Sequence, residues 1–230
     1  MSRFYVKPED AKGEKIFVSG QEAHHALNVM RLKVGDKITA FDGTGREYIG
    51  LIEETGKATL TIKIDKVIKP KKGKAYCITL AQAVPRMDKM DYIIQKATEL
   101  GADSVIPIRT HRTVTRFTKD RISAKIKRWE RIALESSKQC GRSQVTKIGE
   151  YADFKDLLSR IEAYDLVIMP CLAGVDKKGL KKELNGFSVG SMLIIIGPEG
   201  GFDSDEIKIA AAMGVSFISL GENTRKCDSA

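Results

Sequence analysis

Apolar residues follow two different rhythms along this chain, and the change falls near residue 70. Up to about residue 68 they come in short β-prone runs. Lys37–Phe41 and Tyr48–Ile52 flank Asp42-Gly43-Thr44-Gly45, a strong hairpin signal. Ala58–Ile64 alternates polar and apolar with a period of two, as a half-buried strand does. The stretch from Glu22 to Arg31 is predicted as one short helix among these strands. Several short strands at this spacing predict a small barrel. Lys69-Pro70-Lys71-Lys72-Gly73-Lys74 is a charged connector bearing proline and glycine, and the domain boundary is placed there.

Beyond the connector, strands alternate with helices. Ile78–Gln82, Ser104–Ile108, Asp165–Met169, Met192–Ile196 and Ser216–Leu220 are apolar runs of strand length. Met87, Met90, Ile93, Ile94, Ala97 and Leu100 recur at helical spacing, with Gly101 following as a stop. This stripe is assigned to the core rather than to a cofactor box. Residues 119–140 form a long basic amphipathic helix containing Trp129, Ile132 and Leu134. Strands separated by helices predict a largely parallel sheet, and hence an α/β second domain.

One of these runs carries the chemistry. Met192-Leu193-Ile194-Ile195-Ile196 stops at Gly197-Pro198-Glu199-Gly200-Gly201-Phe202, and Asp203-Ser204-Asp205-Glu206 follows. Asp203 and Glu206 have capping-box spacing, with Asp in place of Ser or Thr, so a helix begins there. A buried strand, a glycine loop and a helix start make either a tight turn or a ligand site at the carboxyl end of a sheet.

Composition narrows the ligand. The 230 residues carry a formal charge of +9, which fits either a solvated lysine-rich surface or a polyanionic partner. Between Arg109 and Lys147 stand twelve basic residues against three acidic ones, a local excess as large as that of the whole chain. This clustering favours nucleic acid. Four scattered cysteines without a CxxC pair and only three histidines argue against a zinc site, and reduced, mostly buried thiols are expected. No run approaches the roughly 20 apolar residues of a membrane helix. Met1–Val6 lacks the apolar core of a signal peptide, so a cytoplasmic protein without membrane or metal partners is expected.

Several common chemistries are disfavoured. A nicotinamide site calls for G-x-G-x-x-G early in a βαβ unit, whereas the glycine loop here is late and reads GPEGG. A P-loop calls for a terminal GK[ST]. No Ser–His–Asp or Cys–His grouping stands out. His24 and His25 lie in the small domain, and His111 lies in a basic loop that suits a surface or RNA-facing group.

Five segments in fixed order carry a family resemblance. Glu22–Asp36 is similar to E-x-x-H followed by V-L-R-L-K-x-G-D. Lys89-Met90-Asp91 with Gln95–Gly101 is similar to K-M-D and Q-K-A-T-E-L-G. Pro107 with Thr110–Thr113 is similar to P-x-x-S-E-R-S, with two substitutions. Arg128-Trp129 with Glu135–Arg142 is similar to R-W-x-x-I and E-A-x-x-Q-S-x-R, and Gly197–Phe202 to GPEGGF. Together they resemble the RsmE family of 16S ribosomal RNA uridine N3-methyltransferases in the SPOUT superfamily.

The resemblance implies a PUA-like β-barrel over 1–70 and a SPOUT-type α/β trefoil-knot methyltransferase domain over 74–230. It implies S-adenosylmethionine as donor, 16S ribosomal RNA or the small subunit as partner, and a homodimer. The donor loops carried over contain Leu172 and Gly174; Ile196, Gly197, Gly200 and Gly201; and Leu220 and Gly221. Arg142 or Arg112 would stabilise the uridine anion, Gln139 would bond a base edge, and Glu199 is either the proton acceptor or a structural loop residue. Arg112, Arg116 and Arg142 would face RNA. Arg31 and Lys33 would contact phosphates or form a structural salt bridge.

At the end of the chain the match loosens. Leu220–Ala230 replaces L-G-x-R-I-L-R-x-E-T-A, with Thr224 and Arg225 at apolar positions, and the family's final helix does not follow. Weakened donor binding and dimerisation are expected from this. The alternative to an active enzyme is therefore an RNA-binding relative with lost or weakened transfer.

Overall fold

A computed structural model describes residues 3–70, 75–115, 117–171 and 178–220, apart from the side chain of Lys178. They divide into two compact units, one within Met1–Gly73 and Leu134–Val145, the other within Lys74–Ala133 and Thr146–Ala230.

The first unit contains β1 (Arg3–Tyr5), β2 (Ala11–Lys12), β3 (Lys15–Ser19), α1 (Gly20–His24), β4 (Lys37–Phe41), β5 (Glu47–Thr55) and β6 (Thr59–Ile68). After α1 the chain continues through one wide π turn, His25–Val29. The strands form one sheet in the order β1-β4-β5-β6-β3-β2, parallel between β1 and β4 and antiparallel elsewhere. Alternation drives it: in β3, Ile16 and Val18 are buried and Lys15, Phe17 and Ser19 exposed. Those inward side chains meet Phe4, Ile38, Ile52 and Ile62, with Ala23 and Ala26 beneath the helix.

The predicted hairpin joins β4 to β5. Asp42 is buried there, and its carboxylate oxygens are satisfied because Thr44 donates its backbone N–H and hydroxyl and Tyr48 donates its phenol. Residues 134–145 join this unit partly through Lys138, whose ammonium pairs with Glu22 of α1 and, at 3.0 Å, with Glu135. Burial pulls the Lys138 pKa down, but the hydrogen bonds it donates to Glu22 and Glu135 outweigh it and leave it raised.

The second unit begins with β7 (Tyr76–Ala83), α2 (Lys89–Leu100), β8 (Ser104–Arg109) and α3 (Lys119–Cys140), the last residues of which cluster with the first unit. It continues with β9 (Lys147–Ile148), β10 (Ala152–Asp153), α4 (Phe154–Leu158), β11 (Leu166–Pro170), β12 (Lys178–Gly179) and α5 (Leu180–Glu183). It closes with β13 (Gly190–Ile196), α6 (Ser204–Ala212) and β14 (Ser216–Ser219). The sheet order is β10-β8-β7-β13-β11-β14-β12, with β9 beside β8, and every pairing is parallel. The strands are buried on both faces, so β13 reads as a continuous apolar run rather than an alternating one. Its core joins Ala81, Ile108, Met169, Leu193 and Ile195 to Phe154, Phe202 and Phe217.

Two expectations need correction. The α2 stripe buries Met90, Ile93 and Ile94, but Met87 and Leu100 are 88% and 87% exposed. Met87 precedes the helix with φ of +57°, which takes it off the helical period. Leu100 ends the helix, where Gly101 turns the chain away in the left-handed conformation. The thiols are also less buried than expected. Cys77, Cys140 and Cys171 are outside disulfides, but Cys77 and Cys140 are exposed because one stands near the start of β7 and the other on the last residue of α3.

Among the described residues no helix is long and apolar enough to cross a membrane. Nor do three or more His, Cys, Asp or Glu side chains gather there to hold a metal ion.

Candidate functional site

Parallel pairing brings the loops after β7, β8 and β13 to one edge of the sheet. β13 and β7 run in register from Gly190–Tyr76 to Ile196–Gln82, so Gly197 emerges beside the end of β7. The strands supply the rigid frame, and the loops present the chemistry.

The Gly197–Phe202 loop is tightly specified. A Cβ on Gly197 would lie 2.9 Å from the Phe202 ring, so a larger residue would dislodge that ring from the core. Phe202 packs against Phe154 at a centroid separation of 5.4 Å. The Gly201 N–H donates to the Pro198 carbonyl at 2.9 Å and closes the turn. Asp203 caps α6 by accepting the N–H groups of Asp205 and Glu206, and Glu206 returns a bond to the Asp203 N–H, which is the predicted capping box.

Neighbouring loops grip this one. Arg112 Nη1 donates to the Gly200 carbonyl at 2.8 Å, and a Glu206 oxygen accepts the His111 N–H at 2.7 Å. His111 Nδ1 stands 3.2 Å from Asp203. The Asp203 carboxyl titrates below the ordinary carboxylate range. The Glu206 N–H is the main cause, burial opposes it, and the Asp205 N–H, His111 and Arg112 add to it. Glu199 accepts the Arg86 N–H at 3.0 Å, which ties the loop after β7 to the loop after β13.

One face of the sheet beside this edge holds an apolar cavity of about 580 Å³. Pro170, Ile196, Ile218 and Leu220 line its end at the carboxyl termini of the strands. Of the residues singled out from sequence, Arg112, Ile196, Gly197, Glu199, Gly200, Gly201 and Leu220 lie in this unit. Gln139 and Arg142 lie in the first unit, as do Arg31 and Lys33, which are exposed on the turn after α1. Arg31 adopts φ of +55°, and the Lys33 N–H is held by Asp36. Arg116, Leu172, Gly174 and Gly221, and the segment from Gly221 to Ala230, lie outside the described residues.

Sequence reasoning missed the Arg86 bond to Glu199 and counted Met87 into the α2 stripe. The available signal was Asp88, a good N-cap residue that would begin the helix one position later.

A glycine loop stands at the carboxyl edge of a parallel sheet and is gripped by a basic loop, the place where α/β domains commonly take ligands. Residues 72–230 match the RNA methyltransferase domain family, and residues 18–65 match the PUA domain of RNA methyltransferases. The chain belongs to the RNA methyltransferase domain family, with a PUA-like domain before it. It is 28% identical to the ribosomal RNA small subunit methyltransferase E of Bacillus subtilis, over all of this chain and 93% of that one. It is 29% identical to the protein of the same name from Rickettsia conorii, over all of this chain and 91% of that one. A Legionella pneumophila protein crystallised in complex with the bound cofactor SAM superposes with a TM-score of 0.86 at 26% identity, covering 98% of this chain and 91% of that one.

Proposed function

We propose that this chain transfers a methyl group from S-adenosylmethionine to N3 of a uridine in 16S ribosomal RNA. It would act in the cytoplasm as a homodimer, with a barrel over 1–70 and a knotted transfer domain over 74–230. The observation that carries the reading is the Gly197–Phe202 loop. It stands at the carboxyl edge of the parallel sheet in an RNA methyltransferase domain, with Arg112 bonded to Gly200.

The site suits the donor. Ile196, Leu220 and Pro170 offer an apolar wall to a flat adenine ring, and Gly197, Gly200 and Gly201 carry no side chain that would bar its approach to the backbone. Leu172, Gly174 and Gly221 would complete the binding residues. When bound, S-adenosylmethionine supplies a methyl group activated by its sulfonium, so positioning contributes much of the rate.

The acceptor needs more from the protein. Uridine N3 is weakly acidic and must lose its proton before it attacks. Glu199 takes that proton, and the guanidiniums of Arg112 and Arg142 stabilise the negative charge left on the base. Gln139 bonds the edge of the unstacked base. Arg31, Lys33 and Arg116 hold phosphates.

Titration calorimetry with S-adenosylmethionine tests the donor site, and folded protein that binds none overturns the reading. Mass spectrometry of 16S ribosomal RNA tests the product. N3-methyluridine is expected to vanish when the gene is deleted and return when it is restored; persistence in the deletion strain overturns the substrate.

A further inference from the structure

Met87 stands where neither packing nor backbone preference accounts for it. Its side chain is 88% exposed, and its φ of +57° is one that side chains other than glycine adopt only under strain. An exposed apolar residue in a strained conformation gains nothing from folding.

The loop that carries it is held on every side. Thr115 donates to the Pro85 carbonyl at 3.4 Å, the Arg86 N–H donates to Glu199 at 3.0 Å, and Lys125 pairs with Asp88 at 3.2 Å. Three neighbouring positions are thus fixed by residues distant in sequence, and Met87 is the one they thrust into solvent. Across the Thr115 bond, the loop after β8 exposes a second apolar residue, Val114, at 60%. Both lie at the edge that carries Glu199 and Gly200, and the Arg86 and Arg112 side chains beside them are exposed. An apolar prow flanked by guanidiniums suits a ligand with both a charged backbone and flat apolar faces.

We infer that Met87 is an RNA-contacting wedge, which packs against a base of the substrate strand as the target nucleotide leaves its stack. Apolar side chains inserted between bases perform this task elsewhere in nucleic-acid recognition, and flanking cations hold the backbone while the stack opens. The strain keeps the wedge presented before RNA arrives. Met87 acts on binding of the acceptor and touches neither donor nor proton. The inference rests on the proposed RNA methyl transfer.

The variant Met87→Gly removes the wedge and relieves the left-handed strain, so it folds at least as well as the parent. Unmodified small ribosomal subunits are the probe. Met87→Gly is expected to raise the KM for subunits, and their Kd measured without donor, about tenfold. Its melting temperature and its affinity for S-adenosylmethionine are expected to stay level or rise. Met87→Leu, which keeps apolar bulk, is expected to restore most of the binding. The slope of log Kd against log salt should not change in Met87→Gly, but should fall by about 1 in Arg86→Gln, which gives up a phosphate contact. If the parent methylates subunits and Met87→Gly matches its KM and Kd, the wedge is overturned alone. A parent that neither binds nor methylates subunits overturns the proposed function, and the wedge with it.

Discussion

The Glu199 carboxylate accepts the backbone N–H of Arg86 at 3.0 Å, across 113 residues of sequence. This bond holds the loop after β7 against the glycine loop after β13. It also gives Glu199 a task apart from the proposed proton transfer, and two substitutions separate the two. Glu199→Gln keeps an acceptor oxygen but cannot take a proton. It is expected to lower kcat about 100-fold with donor affinity unchanged. Glu199→Ala should in addition weaken binding of both substrates. A Gln variant with full kcat would leave Glu199 as a positioning residue only.

Arg112 makes a second such grip through the Gly200 carbonyl. Arg112→Lys keeps the charge but loses the planar fork, which can reach the carbonyl and still offer donors to the proposed substrate. We expect kcat/KM to fall at least about tenfold. The melting temperature should scarcely move, because exposed polar contacts contribute little to stability. Steady-state kinetics beside thermal melts check both.

Asp203 links the site to pH. Its pKa in the folded chain lies below that in the unfolded chain, chiefly because the Glu206 N–H favours the charged form. The stabilisation is therefore complete above the unfolded pKa and is lost as pH falls through the folded one. Thermal melts from about pH 7 to about pH 3 should show a steeper acid loss in the parent than in Asp203→Asn. Asp203→Ala should lower the midpoint by a few degrees at neutral pH, since it removes the cap of α6.

Asp91 of α2 accepts from two adjacent residues of α3, the exposed Arg128 and the buried Trp129. It accepts Arg128 Nε at 2.9 Å and Trp129 Nε1 at 3.1 Å, and Trp129 is 1% exposed. Trp129→Ala should cost about 3–5 kcal/mol in urea unfolding. Trp129→Phe should cost less, with most of its penalty coming from the lost indole bond to Asp91.

Much of the site was legible because its signals are local. The glycine loop, the Asp203–Glu206 box and the basic run of α3 each depend on residues a few positions apart, and turn chemistry and helix period act over that range. Met87 shows the limit. Its spacing fits the α2 stripe, and only its backbone conformation and the three bonds around it take it out of the core.

The sequence by itself determined the two rhythms, the strand and helix types, the parallel second sheet and the excess of positive charge. Tertiary structure decided which distant groups meet: Glu199 with Arg86, Asp91 with Arg128 and Trp129, and Lys138 with Glu22. The reason is physical. Strands buried on both faces carry near-uniform apolar runs, and such runs define a strand without stating its neighbour or register. Only when β7, β8 and β13 are aligned do their loops share an edge, and only then do the residues on them become a site.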